Sequence, residues 1–249
     1  MIVNAIKTAK ILPNEQTIFE LLDNYLPRLQ EKSIVAVTSK IVALCEGRVI
    51  KASSIAKKEL INQEADYYLP PNTNQYGYNF TINQHTLTSM AGIDESNGGD
   101  FYILWPKDSQ KTANQIRRHL KNKLNLKNVG VIITDSTCVP MRWGTVGNAL
   151  GYSGFKALNN YVGKPDLFGR PFKVSQAGVA IGLAASAVLA MGEGTEQTPI
   201  AVINDVPFVQ FNGRNPSQKE LELFYLKNKE EDLFAPFLNA VQWHKGKKL

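Results

Sequence analysis

Val129–Thr134 (VGVIIT) is the strongest strand signal in the chain, and it runs straight into Asp135. A continuous apolar run of this length, bounded by turns, reads as a strand buried inside a core. Ser33–Thr38 (SIVAVT) is a second such run, and Ile200–Ile203 (IAVI) a late one. Ile2–Ile6, Arg48–Lys51, Tyr78–Ile82 and Phe101–Trp105 supply further strand candidates. Helical spacing appears over Thr17–Leu29 at Ile18, Leu21, Leu22, Tyr25 and Leu26, ending near Pro27. It returns over Ser109–Leu124, with Ala113, Ile116, Leu120 and Leu124 on one face. Ser54–Tyr68 also reads as helix, Pro70–Gly77 as a loop, and the last 30 residues as charged helices. Glycines at 144, 147, 151 and 154 suggest a close-packed or bulged stretch. Strands and helices alternate irregularly, so the expected fold is α+β, with mixed sheets and packed helices. No repeat or Pro/Ser-rich linker interrupts residues 1–249, which predicts one domain whose internal two-lobe division, where there is one, is compact and interleaved.

Composition excludes several classes. At 43% hydrophobic and 20% charged, the 249 residues can bury a real core. Two distant cysteines, Cys45 and Cys138, rule out a disulfide scaffold, and three scattered histidines rule out a zincin motif. Ala177–Met191, the longest apolar stretch, is shorter than the roughly 20 residues a membrane crossing needs, so it reads as a tightly packed internal helix. The N-terminus lacks a signal-peptide core, and a cytoplasmic protein is expected. The net charge of +6 concentrates in Lys111–Lys127, with Arg117 and Arg118, and in Lys245, Lys247 and Lys248. Such charge favours anionic partners, or is simply a solvated surface. Aromatic residues lie in apparent core segments instead of among the basic ones, which argues against nucleic acid.

Three acidic turns follow apolar elements: Asp94 in AGIDESN, Asp135 in VIITDST and Glu193 in MGEGTEQ. Converging carboxylates repel one another unless a cation neutralises them, and hard oxygen ligands suit Mg²⁺ or Mn²⁺ with nucleotide phosphates. Ser136 and Thr137 add hydroxyls, and Asn97 with Gly98–Gly99 allows close backbone approach to an anion. Taken singly, each acid serves equally as a helix cap or an Asx-turn, and spacing does not show that they meet. No P-loop, GxGxxG, nucleophile elbow or kinase motif is present. Cys138 could be a thiol nucleophile, but no histidine neighbours it in sequence. Lys40, Arg48, Arg142 and Lys156 stand beside the turns as candidate anion binders.

VTSKIVALCEGRVI, AGIDESN, GVIITDST, MRWGTVGNALGYSGFKAL, DLFGRPFKV and AVLAMGEG occur here in the order found in the coenzyme F-420-0:L-glutamate ligase family, which this chain resembles from about Ile34 to Ile203. The resemblance implies a γ-glutamyl ligase that joins L-glutamate to an acceptor carboxylate through an acyl phosphate, using GTP or ATP and Mg²⁺ or Mn²⁺. It implies that Asp94 and Asp135 ligate one metal, and Ser136 and Glu193 a second. Asn97, Met191, Gly192, Gly194 and Lys40 would then contact nucleotide, while Arg142, and less clearly Arg48, would bind anions among the catalytic groups. An intertwined homodimer with a site near the subunit interface is also implied. The chain departs from the family pattern at Leu44, where lysine is usual, at Ile181–Gly182, where an Asp-Glu pair is common, and at Trp143 in place of arginine. These departures leave the acceptor open between F-420-0 and another γ-carboxylate such as a folate. They also leave open a nucleotide-binding protein that no longer ligates.

Overall fold

A computed structural model describes residues 1–247, so Lys248 lies outside the described residues. In chain order the elements are β1 (Ile2–Ile6), α1 (Ile18–Tyr25), β2 (Ile34–Thr38), α2 (Ser39–Cys45), β3 (Val49–Lys51), α3 (Lys57–Glu64), β4 (Tyr67–Tyr68), β5 (Phe80–Asn83), β6 (Thr86–Ser89) and β7 (Phe101–Ile103). Then follow α4 (Ser109–Lys123), β8 (Gly130–Cys138), β9 (Thr145–Ser153), β10 (Leu158–Asn160), β11 (Gln176–Gly178), α5 (Val179–Met191), β12 (Ile200–Asn204), α6 (Gln218–Phe224), α7 (Ala235–Leu238) and β13 (His244–Lys245). The architecture is mixed α+β, as the sequence predicts.

A five-stranded sheet in the order β1-β12-β2-β8-β9 forms the centre. Its one parallel pair, β2 with β8, joins the two most apolar runs of the sequence, and the other neighbours are antiparallel. Side chains alternate across a strand. Val35, Val37, Val131 and Ile133 accordingly face a core shared with α1, α2 and α4, while Ile34, Ala36 and Ile132 face α5. Thr17 and Glu20 close a reciprocal capping box that starts α1, and Asp108 caps α4. A separate apolar cluster around Leu60, Ile61, Ala91, Ile93 and Leu104 supports the smaller sheet β13-β4-β5-β6 and the β3–β7 pair.

Several expectations need correction. β8 does not stop at Asp135: pairing with β9 carries it on to Cys138, past a bulge in which Leu150 is the extra residue between Gly151 and Ala149. The glycine-rich stretch is bulged and close-packed, as the sequence suggests, and runs through the long strand β9. A Cβ at Gly147 would lie 2.5 Å from the Ala184 carbonyl of α5, and one at Gly151 would lie 2.6 Å from the Ser109 carbonyl of α4. The helix expected over Ser54–Tyr68 is confined to α3, because the Asp66 N–H pairs with the Ile82 carbonyl and opens β4. Ala177–Met191 is not wholly internal, since Ile181 and Leu189 are exposed on the outer face of α5. The C-terminal segment holds two short helices and a terminal strand.

Candidate active site

A cleft of about 520 Å³ opens at the carboxyl ends of β2 and β8. Crevices beyond parallel strand ends are where open α/β sheets commonly hold ligands. Lys40, Asp94, Asn97, Asp135, Ser136, Met191, Gly192, Glu193 and Gly194 all line it. The three acidic turns that lie far apart in sequence therefore share one space. Ile11, Ile41, Leu44, Met90, Ile93 and Val188 give it an apolar wall.

The acids are held differently. Asp135 is half-buried, with protein surrounding its carboxylate: Ser39 Oγ donates to Oδ1 at 2.9 Å and Trp105 Nε1 donates to Oδ2 at 2.7 Å. Burial pushes its carboxyl up to about 6, against these donors and the Ser136 N–H, and the negative charge of Asp94 adds to the rise. Burial also opposes ionisation of Asp94. There the Lys40 ammonium, 2.7 Å from Oδ2, and the Ser96 donors outweigh it, so the Asp94 carboxyl lies below its ordinary value. Lys40 also donates to the carbonyl and hydroxyl of Ser96. Glu193 Oε1 accepts from Ser136 Oγ at 2.5 Å and from Thr145 Oγ1 at 3.2 Å.

Glycines shape the wall after α5. Gly192 caps that helix at φ 77°, and Glu196 folds back so that its carboxylate accepts from the Gly194 N–H at 2.8 Å. A side chain at Gly192 would collide with that carboxylate, at 2.6 Å from Glu196 Cδ.

The oxygen groups here form two sets, Asp94 near Asp135 and the Ser136 hydroxyl against Glu193. Among the described residues, no group of three or more His, Cys, Asp or Glu side chains is arranged around one metal position. The donor chemistry still suits hard cations. Asp94 lies close enough to Asp135 to raise its pKa, and Ser136 stands against Glu193, so each pair is all oxygen and has room for water or phosphate ligands.

Three expected anion binders stand elsewhere. Arg142 is exposed outside the cleft and bonds the Met141 carbonyl. Arg48 turns inward, with a 2.6 Å contact to Glu64 and a bond from Nε to the Trp105 carbonyl. Lys156 is exposed, and Cys138 is an exposed free thiol. Ile181 and Gly182 sit on the outer face of α5, so their departure from the family pattern removes nothing from the cleft wall. Leu44 does line the cleft, one helical turn after Lys40 on α2. Ser39, Trp105 and Glu196 escaped the sequence reading. Ser39 sits next to a flagged lysine, but nothing in sequence signals the reach of Trp105 to Asp135.

Fold and cleft together define an α+β protein whose acidic side chains gather in one cleft beside the central sheet. Residues 5–205 match the model of the F420-0:gamma-glutamyl ligase family, and the chain belongs to that family. It is 34% identical to a coenzyme F420:L-glutamate ligase of Methanococcus maripaludis over 88% of this chain and 91% of the relative. It is 33% identical to the enzyme of the same name from Methanocaldococcus jannaschii, over 86% and 88% respectively. A relative from Archaeoglobus fulgidus, also called coenzyme F420:L-glutamate ligase, is 43% identical over a shorter match covering 45% of each chain. No described helix is long and apolar enough to cross a membrane.

Proposed function

We propose that this chain is a γ-glutamyl ligase that joins the amine of L-glutamate to an acceptor γ-carboxylate, with GTP or ATP as co-substrate. The observation that carries the reading is the meeting of Asp94, Asp135, Ser136 and Glu193 in one cleft. A carboxylate is a poor electrophile. Its oxygen attacks the γ-phosphorus, the bond to the nucleoside diphosphate breaks, and an acyl phosphate results. The glutamate nitrogen then attacks the acyl carbon, the bond to phosphate breaks, and the amine proton leaves to solvent.

Asp94 with Asp135, and Ser136 with Glu193, would hold Mg²⁺ or Mn²⁺, which supplies charge stabilisation to the transferring phosphoryl oxygens. Ser39 and Trp105 keep Asp135 oriented. Lys40 offers a cation to phosphate or carboxylate, standing in for the lysine missing at 44. Asn97 and the Gly192–Gly194 turn approach the nucleotide. Ile41, Leu44, Met90 and Met191 exclude water from the acyl phosphate. The acidic residues persist while Leu44 and other neighbours depart from the family pattern, so F-420-0 and a mono-glutamyl folate are both candidate acceptors.

The working unit is a homodimer. Leu167, Phe168, Val174, Trp143 and the outer face of α5 present large apolar side chains to water, more than a monomer surface normally leaves open.

Mass spectrometry tests the reading. Purified protein, Mg²⁺ or Mn²⁺, GTP or ATP, and L-glutamate are combined with either acceptor. A product heavier by one or more glutamyl units supports the ligase and names its acceptor. Nucleotide binding with no product across both acceptors favours a binder that no longer ligates.

A further inference from the structure

We propose that Trp105 is a positioning residue for this reaction, gripping Asp135 with its indole N–H while the same ring fixes the turn that delivers Asp94. This rests on the ligase reading above. One short segment, Phe101 to Trp105, holds both acids. The main chain of Ile103 exchanges two hydrogen bonds with Asp94, at 2.9 and 2.8 Å, in an isolated bridge. Two residues later the Trp105 indole, only 3% exposed, donates to Asp135 Oδ2 at 2.7 Å.

The ring also explains the turn before Asp94. Met90, Ala91 and Gly92 all carry positive φ, at 55°, 55° and 74°. Left-handed backbone is unfavourable for non-glycine residues such as Met90 and Ala91 and persists only where the surroundings over-determine it. Here the surroundings are specific. Asn79 and Thr81 receive the N–H groups of Met90 and Ala91, and Asn83 Nδ2 donates to the Ala91 carbonyl. Trp105 closes the other side, because a Cβ at Gly92 would fall 2.1 Å from Cε2 and 2.2 Å from Nε1. The nitrogen that holds Asp135 is therefore one of the atoms that forbids a side chain at 92. Displacing the ring for either purpose disturbs the other.

The backbone of Trp105 is fixed as well. Its carbonyl accepts from Arg48 Nε at 3.2 Å, and Arg48 is anchored by Glu64. Arg48 thus braces the main chain at Trp105, a role distinct from the anion binding its sequence context implied. Any side chain without the indole N–H would leave Asp135 Oδ2 without this donor.

The test is a double-mutant cycle of Trp105→Phe and Asp135→Asn. It is read by Mn²⁺ affinity from the electron paramagnetic resonance of the free ion, by steady-state kinetics, and by hydrogen exchange of the Trp105 indole N–H. Partners that orient metal ligands are worth about 10- to 100-fold in affinity. Trp105→Phe keeps a ring against Gly92, so it should melt near wild type, weaken Mn²⁺ by that factor, and lower kcat while KM for L-glutamate holds. In the Asp135→Asn background, adding Trp105→Phe should change Mn²⁺ affinity no further. Gly92→Ala, which pushes the ring away without altering it, should copy the Mn²⁺ loss. An equal loss in both backgrounds would make Trp105 a packing residue and overturn the proposal. So would wild-type affinity in Trp105→Phe, or an indole N–H that exchanges as fast in wild type as in Asp135→Asn. A wild-type protein that takes up no Mn²⁺ and extends no acceptor defeats the ligase reading itself, and that outcome is visible before any variant is made.

Discussion

Asn97 Nδ2 donates to the Gly194 carbonyl at 3.0 Å, tying the turn that carries Asp94 to the turn that carries Glu193. Nearly a hundred residues separate the partners, and no other side-chain bond between these two turns is found among the described residues. Asn97 itself sits at φ 57°, a conformation asparagine tolerates better than most residues. Its amide therefore acts as a clamp across the mouth of the cleft.

Removing that clamp separates stability from function. Asn97→Gly, which accepts the positive φ, loses one exposed hydrogen bond, worth about 0.5–1.5 kcal/mol. The melting temperature should move by only a few degrees, while KM for the nucleotide rises severalfold as the two walls drift apart. Calorimetry beside nucleotide-dependent kinetics checks this. A large melting shift with unchanged KM would make Asn97 a folding residue.

Asp135 should leave a signature in stability against pH. Its folded carboxyl is raised from 3.8 to about 6, so the folded state holds a proton that the unfolded state has released between those values. The contribution is fully present below the unfolded value and is lost as pH rises through about 6. With about 1.4 kcal/mol per pKa unit, it amounts to roughly 2–3 kcal/mol. Urea unfolding of metal-free protein between pH 4 and pH 7 should show that decline superimposed on the other groups. Asp135→Asn should remove this component while the chain still folds, and should abolish ligation. A variant that keeps turnover and the same pH slope would refute both statements.

The two most apolar runs, VGVIIT and SIVAVT, read as buried strands because they are short, rich in β-branched residues and bounded by turns. Their adjacency and parallel pairing were not legible, since no local signal encodes which strands meet. β6 escaped detection for a definite reason. Its hairpin turns at Gln84 and His85, both with positive φ (44° and 61°), where glycine or asparagine would ordinarily advertise the turn. Asp66 receives the Gln84 N–H and holds the turn instead. At the cleft, Asp94, Asp135 and Glu193 stood out as acids after apolar elements, and the family resemblance sorted them into pairs. Trp105 read only as the end of a strand, because its contact with Asp135 exists in three dimensions alone.

Lys40 poses a competition that can be measured. Its ammonium takes Asp94 Oδ2 at 2.7 Å, the same oxygen a divalent cation would want. Lys40→Met keeps a similar stem and removes the charge. Mn²⁺ should then bind at least as tightly as to wild type, while KM for the nucleotide rises roughly tenfold, the size expected for one lost charge-assisted hydrogen bond. Weaker Mn²⁺ binding in the variant would show that the ammonium supports the ion instead of competing with it.

The hairpin arm that leaves β10 and returns through β11 gives the last prediction. Its backbone is well tied: the Gly163 N–H reaches the Phe172 carbonyl at 2.9 Å, and the Asp166 N–H reaches the Arg170 carbonyl at 2.8 Å. Asp166 Oδ1 also accepts from the N–H groups of Phe168 and Arg170. Yet this ordered tip holds Leu167 at 99% and Phe168 at 88% exposure. A loop fixed by its own hydrogen bonds has no need of apolar side chains at its apex, so their value lies in what they cover. Burying a large apolar side chain is worth about 1.5–3 kcal/mol, and twofold symmetry counts each one twice. Leu167→Ser with Phe168→Ser should therefore convert a dimer to monomers in light scattering at micromolar protein, with the monomer melting cooperatively. If the doubly substituted protein remains dimeric at the same concentrations, the arm is not the interface and the outer face of α5 becomes the surface to alter.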